Sequence, residues 1–349
     1  MRVPTSERGL TRRTLLRATA AAVTVVGCGT ALPGIPGPVR RIGLLSTGAA
    51  APADAPPFAA FRDGMLANGF VEERDYAMAY KFGVFDADLL LRWARELVMS
   101  AEVIVVSSTG AAQAARVATS EVPIVMVASH DPVDAGVVLS LTAPGGNVTG
   151  QSLAGGDLMP AQLDYLQQIT PLRRLGYLSP SFPSYGPQFP SVTDTFEHRM
   201  RSAAGAFGIE VVAPPIHSVG DVSGALASLA TESIDALYVI ESPTWFVPGT
   251  SKPINQVVDF AIHRHLPVMG GHRMYAQAGV LATYGDTRSL AEMHRSAATY
   301  VARILRGAAP KDLPVERPTS FELVINTTTA AMMGLNVSQN LLAHADVIH

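Results

Sequence analysis

With 349 residues, 48% of them hydrophobic and only 16% charged, the chain has enough apolar material for one large or two medium cores, which excludes extended disorder. Charge is nearly balanced at −3, with no long basic run, and this excludes an electrostatic nucleic-acid surface. The single cysteine, Cys28, excludes a disulfide framework and a thiolate zinc site within one chain.

Residues 1–38 read as an export signal and tether. Arg2, Arg8, Arg12, Arg13 and Arg17 precede an apolar stretch over 18–27 that is too short to span a bilayer. Thr11-Arg12-Arg13-Thr14-Leu15-Leu16-Arg17 matches a twin-arginine signal. Val25-Val26-Gly27-Cys28 is similar to a bacterial lipobox, with valine where leucine is usual. Lipidation at Cys28 would anchor the mature protein to a membrane; a plain secretory cut, for example after Ala31, is the alternative. Either way the chain is expected in the periplasm or cell envelope. Residues 31–38, rich in proline and glycine, form an extended tether before the first strand.

From Arg41 onward, short apolar runs alternate with longer stretches of helical period, the pattern of βαβ units in parallel sheets. Strands are expected at 42–46, 76–82, 103–107 and 124–128, with helices near 57–68, 86–99 and 111–119 between them. The second half repeats the pattern. Its strands are expected near 175–179, 210–213, 236–240, 267–270, 280–284 and 321–326, its helices near 189–207, 222–231, 254–265 and 289–306. So many parallel strands exceed one domain of ordinary size, and the expected fold is α/β with two doubly wound parallel-sheet lobes. The loop over 143–150 marks the first boundary. Ligands of open α/β sheets sit beyond the carboxyl ends of the strands, so two such lobes face to face enclose a cleft.

The phrases Arg41-Ile-Gly-Leu-Leu-Ser46, Phe61-Arg-Asp-Gly-Met-Leu-Ala-Asn-Gly-Phe70, Pro123-Ile-Val-Met126, Asp131-Pro-Val133 and Pro144-Gly-Gly-Asn-Val-Thr-Gly150 carry a family likeness. So do the stretches 297–308 and 313–326 and the tail Leu341-Leu-Ala-His-Ala-Asp346. Together they resemble the ABC-importer substrate-binding family that includes tryptophan and tyrosine binders. The resemblance implies the type I periplasmic-binding fold, whose chain crosses between lobes more than once. It implies one lobe over 39–150 plus about 276–318, and a second over 151–275 plus about 319–349. It also implies an ABC permease and ATPase as partners and an amino-acid-like small molecule as ligand. Two loops expected to face the cleft depart from the family pattern. Ser179-Pro-Ser-Phe-Pro-Ser-Tyr-Gly186 stands where relatives show an Asn-Pro-x-Asn-Pro loop, and the loop that opens with Ser46 and Thr47 is small, apolar and proline-rich.

Candidate ligand contacts follow from the strand ends. Ser108, Thr109 and Gly110 leave a strand and open a helix, whose free N–H groups and hydroxyls suit a carboxylate; helix capping by Ser108 or Thr109 is the alternative, and the position at a strand's carboxyl end favours ligand contact. His130, Asp131 and Pro132 follow the next strand. Asp131 can meet a ligand ammonium or cap the short helix that Pro132 begins. His130 and Asp131 are adjacent, so their side chains point apart and form no catalytic dyad. In the second lobe Glu241, Ser242 and Thr244 follow a strongly apolar strand, and Glu241 can bind an amine. Ser181 and Tyr185, with Phe182, Trp245 and Phe246, are candidates for a polar and aromatic wall or for ordinary packing. His272 and Arg273 follow a further strand, where Arg273 can clamp a carboxylate or bridge the lobes. Tyr284 ends the strand after that, and Asp286 beside it suits a helix cap.

No cofactor or metal is expected. His263 and His265 fall on different faces of their helix, and the glycines of 144–150 lack dinucleotide-fingerprint spacing. The function expected is solute capture rather than catalysis, since no nucleophile elbow is present. A ligand-sensing input protein for a membrane receptor is the alternative.

Overall fold

The computed structural model describes residues 38–52, 54–83, 86–181, 184–247 and 252–349. The stretch expected to be an export signal, the lipobox-like segment with Cys28 and the wall candidate Phe182 lie outside the described residues. The elements in order are β1 (Arg40–Ser46), α1 (Pro56–Ala67), β2 (Tyr76–Phe82), α2 (Ala87–Val98), β3 (Val103–Val106), α3 (Thr109–Ala118), β4 (Ile124–His130), β5 (Val148–Leu153), α4 (Gly155–Ile169), β6 (Arg174–Leu178), α5 (Val192–Ala206), β7 (Glu210–Val212), α6 (Asp221–Thr231), β8 (Ala236–Val239), α7 (Pro253–Arg264), β9 (Val268–Gly270), α8 (Arg273–Gln277), β10 (Ala282–Asp286), α9 (Leu290–Leu305), β11 (Phe321–Asn326) and β12 (Asp346–Ile348). Two short helices, Thr327–Met332 and Gln339–Leu342, separate the last two strands.

The strands form two sheets, ordered β2-β1-β3-β4-β5 and β12-β11-β10-β9-β8-β6-β7. The first is parallel throughout. The second is parallel except that β11 runs antiparallel to β10, a departure from the all-parallel pattern expected. Nothing in the alternation of apolar residues reports strand direction, so the exception was invisible in the sequence.

Burial on both faces explains why β3 reads as an uninterrupted apolar run. Ile104 and Val106 face a cluster with Leu90, Leu97 and Ala111 from α2 and α3. Val103 and Val105 face the other way, onto Phe61 and Met65 of α1 and Ala297 and Val301 of α9. The two helices of that second layer approach so closely that a Cβ on Gly64 would lie 2.6 Å from the Arg295 carbonyl oxygen. Helix α9 begins with a capping box, in which Ser289 and Glu292 satisfy each other's backbone N–H groups.

Helix α9 therefore belongs to the first lobe while β10, just before it, hydrogen-bonds to β9 and β11 of the second sheet. The return expected at about 276 thus falls later, between Asp286 and Leu290, because β10 completes the second sheet first. The first exit is also later than 150. Strand β5 pairs with β4 as far as Leu153, and the chain leaves the first sheet only there. A third passage follows Glu316, whose backbone bonds to Gly150 and Ser152. Neither β5 nor α4 was anticipated. Helix α4 opens on Gly155-Gly156 and carries Pro160, three residues that normally argue against a helix.

Candidate functional site

The carboxyl ends of β1, β3 and β4 face those of β6, β8 and β9 across a cavity of about 350 Å³. This is the position at which open α/β sheets receive their ligands. From the first lobe come Ser46, Thr47, Ser107 to Gly110 and His130, with Phe58 and Phe82 beside them. The second lobe contributes Ser179, Phe196, Glu241, Ser242, Phe246, His272 and Tyr275. Helix α9 adds Leu290, Met293 and His294.

Ser46 is buried and its Oγ accepts the Gly48 N–H at 3.1 Å. Thr47, equally buried, has no partner for its Oγ1 among the described residues, and the same holds for Ser107 Oγ. Ser108 caps α3 by accepting the Ala111 N–H. Thr109 is committed internally, since its Oγ1 accepts the His130 N–H at 2.9 Å and donates to the His130 carbonyl at 3.1 Å. With the Ala111 N–H taken by the Ser108 side chain and the Ala112 N–H by the Ser108 carbonyl, what the start of α3 has beside the cavity is the backbone of Thr109 and Gly110 rather than the Thr109 hydroxyl.

His130 and Glu241 meet across the lobes, with Nε2 3.1 Å from Oε2. Burial works to lower the histidine pKa, yet the bond and charge of Glu241 and the charge of Asp131 prevail and raise it. Burial likewise works to raise the carboxyl, but the bond to His130 and its charge hold Glu241 below the ordinary value. The result is a charged, largely buried pair, with the ring of Phe196 edge-on to the imidazole at 5.5 Å. Glu241 is the one carboxylate among the described lining residues.

Several expected contacts sit elsewhere. Asp131, in a left-handed conformation at φ 38°, accepts the Gly156 N–H at 2.9 Å and lies 3.3 Å from Arg199. It joins the lobes and does not line the cavity. Burial raises its carboxyl pKa against the pull of His130 and Arg199. Pro132 closes a turn by accepting the N–H groups of Val137 and Val138. Ser181 donates its N–H to Ile216, and Tyr185 donates its hydroxyl to the Ala87 carbonyl. Thr244 is fully buried against Ser242. Arg273 neither faces the cavity nor bridges the lobes, because its guanidinium is engaged by Glu322 and Asp346 at the edge of the second sheet. Tyr284 packs on Tyr165 and Phe321. Trp245 is a core residue donating to the Ile240 carbonyl, whereas Phe246 beside it does line the cavity. Asp286 caps no helix and pairs with Arg288.

Other lining residues gave little signal in the sequence. Phe58, Phe196, Tyr275, Met293 and His294 lie on helices whose apolar face reads as ordinary core. No group of acidic, histidine or cysteine side chains able to hold a metal exists among the described residues, and none of their helices is long and apolar enough to cross a membrane.

Two sheets meeting at their strand tips around a cavity lined by both define a two-lobed ligand-binding protein of the type I periplasmic kind. A family model described as ABC transporter substrate binding protein matches residues 53–348, and the chain belongs to that family, which is one of binding proteins rather than catalysts. The tyrosine-binding protein of Clostridioides difficile strain R20291 is 31% identical over 231 residues, covering 65% of this chain and 61% of that protein. The match thus spans less than two thirds of that relative. Among solved structures, a conserved domain protein from Vibrio cholerae O1 biovar El Tor strain N16961 is 27% identical with a TM-score of 0.75, covering 88% of this chain and 99% of that one. An ABC domain from Streptococcus pneumonia in complex with L-Trp shares the fold at 22% identity and a TM-score of 0.72, covering 89% of this chain and all of that one.

Proposed function

We propose that this chain is the exported, ligand-capturing component of an ABC importer, and that its ligand is an amino acid with an aromatic side chain. The observation that carries the reading is the cavity itself, which is lined by both lobes, mostly apolar, and polar chiefly at the strand tips. At about 350 Å³ it lies at the small end of the range typical of ligand pockets, roughly 300–1,000 Å³. Such a volume suits one amino acid. The start of α3 is placed to receive the carboxylate, with Thr47 and Ser107 as hydroxyl partners. Glu241 supplies a counter-charge for the ammonium. Phe58, Phe82, Phe196 and Phe246 supply faces for a ring. The tyrosine-binding relative supports the same ligand class. A permease and an ATPase are the expected partners, and the twin-arginine and lipobox-like leader is consistent with delivery to the periplasm or the outer face of a membrane.

The test is calorimetry and thermal shift on the mature body with L-tyrosine, L-tryptophan and L-phenylalanine against aliphatic amino acids and sugars. A ligand present at a hundredfold its Kd stabilises the folded form by about 2.7 kcal/mol, which raises the melting temperature by several degrees. Glu241→Gln is expected to weaken binding of the amino acid at least tenfold. Equal responses to sugars and amino acids, or none to any amino acid, would overturn the reading.

A further inference from the structure

His294 lines the cavity from the second turn of α9, and only 2% of its surface is exposed. Its Nδ1 lies 2.8 Å from the carbonyl oxygen of Leu290. A carbonyl can only accept, so Nδ1 carries the proton. Burial depresses the imidazole pKa to about 4 despite that bond, so the ring is neutral at ordinary pH. The proton inventory then leaves Nε2 with a lone pair and no hydrogen. Nε2 is buried and has no partner among the described residues. A buried acceptor without a donor is unfavourable, and such atoms beside a ligand cavity are completed when the ligand brings the missing group.

The surroundings say which part of a ligand that is. His294 stands edge-on to Phe58, with ring centres 6.0 Å apart. Phe58 in turn contacts Tyr80 and Phe82. Met293 and Leu290 are its neighbours in the lining. Around His294 the lining is thus apolar and aromatic, and a ligand's ring seated against Phe58 would lie beside the imidazole.

Resting on the aromatic amino-acid reading above, we propose that His294 is a specificity-determining residue whose Nε2 accepts a hydrogen bond from an N–H or O–H borne by the ligand's ring. The phenol of tyrosine and the indole of tryptophan both carry such a donor. Phenylalanine, of nearly the same shape, does not.

The experiment is calorimetric titration of the full mature body with L-tyrosine, L-tryptophan and L-phenylalanine, repeated on His294→Phe and His294→Gln. In the native protein tyrosine or tryptophan is expected to bind roughly tenfold to hundredfold more tightly than phenylalanine, and which of the two does so identifies the donor. His294→Phe should remove that preference by weakening the donor-bearing ligand alone, and His294→Gln, which restores an acceptor oxygen, should recover part of it. Nitrogen NMR should show the Nε2 resonance of His294 moving from its free-acceptor position when the preferred ligand binds. Should phenylalanine bind the native protein as tightly as the other two, or His294→Phe keep the preference, the assignment fails while the amino-acid reading stands. Absence of binding by all three would overturn both. The native-protein comparison does not depend on either variant folding.

Discussion

The pairing of His130 with Glu241 brings two opposite charges together where both are largely buried, and its energetics follow from what each would be alone. Removing one partner of a buried pair typically costs about 3–5 kcal/mol, because the other charge is left without compensation. The pH dependence has two limbs. Glu241 is depressed on folding, so its contribution is present above its ordinary 4.5 and fades as pH falls through the lower folded value. His130 is raised, so its contribution is full below its ordinary 6.5 and fades as pH rises through the higher folded value. Between those two ordinary values both are present. The difference in melting temperature between the native protein and a His130→Asn, Glu241→Gln double variant is therefore expected to peak from about pH 4.5 to 6.5 and shrink on either side. A difference independent of pH would show that the pair is not ionised. At this scale the sequence was partly legible. Ser108, His130 and Glu241 each follow an apolar strand and could be assigned to the strand tips, whereas His294 sits in a helical apolar pattern that looks like core packing.

Among the elements, α1 and α9 show how residues 230 positions apart in sequence come to form one layer. At Gly64 the two helices pack so closely that any side chain there must push against the Arg295 carbonyl. Gly64→Ala is expected to destabilise the chain by about 1–3 kcal/mol, the usual effect of overpacking, read as a lower urea midpoint with an unchanged slope. Since α9 also carries Met293 and His294, the same variant should weaken ligand binding. An unchanged midpoint would mean that the helices have room to separate. The alternation of strands and helices was readable because β3, β4 and β8 are unbroken apolar runs of the right length. Strand β5 and α4 were missed for the opposite reason. Gly150 in β5 adopts φ 121° with its Cα against the β4 backbone, where a Cβ would lie 2.2 Å from the Met126 carbonyl oxygen, so glycine there marks intimate pairing rather than a break. Pro160 and the glycine pair give α4 the look of a loop, and tertiary contacts with α5 and β10 override that weak local preference.

For the whole molecule, the decisive quantity is the balance between lobes apart and lobes together. Besides His130 and Glu241, Arg199 of α5 reaches Asp131 and Asp134 of the first lobe, and Gln113 of α3 donates to the Pro190 carbonyl. These contacts favour closure without a ligand, and the ligand needs only to add its own differential affinity. Arg199→Ala is accordingly expected to enlarge the radius of gyration of the ligand-free protein in small-angle X-ray scattering. Its affinity should fall by no more than about fivefold, as suits a partly exposed ion pair. A radius unchanged by the substitution would show that Arg199 does not hold the lobes. The two-lobed plan itself was legible from strand count and from the resemblance. The points of exchange were not, since a crossing residue differs from any other loop residue only in what it later packs against.

The three passages between lobes start next to one another, with Gly150 and Ser152 of β5, just before the first, bonded to Glu316, just before the third, and Arg288 of the second donating to Gln151. Segments tied side by side in this way favour bending over shear, which is the geometry of a hinge. If a bound solute draws the lobes together, as the proposed function has it, such a hinge would express occupancy as a single angle, narrow or wide, and that angle is all a receiving partner would have to distinguish.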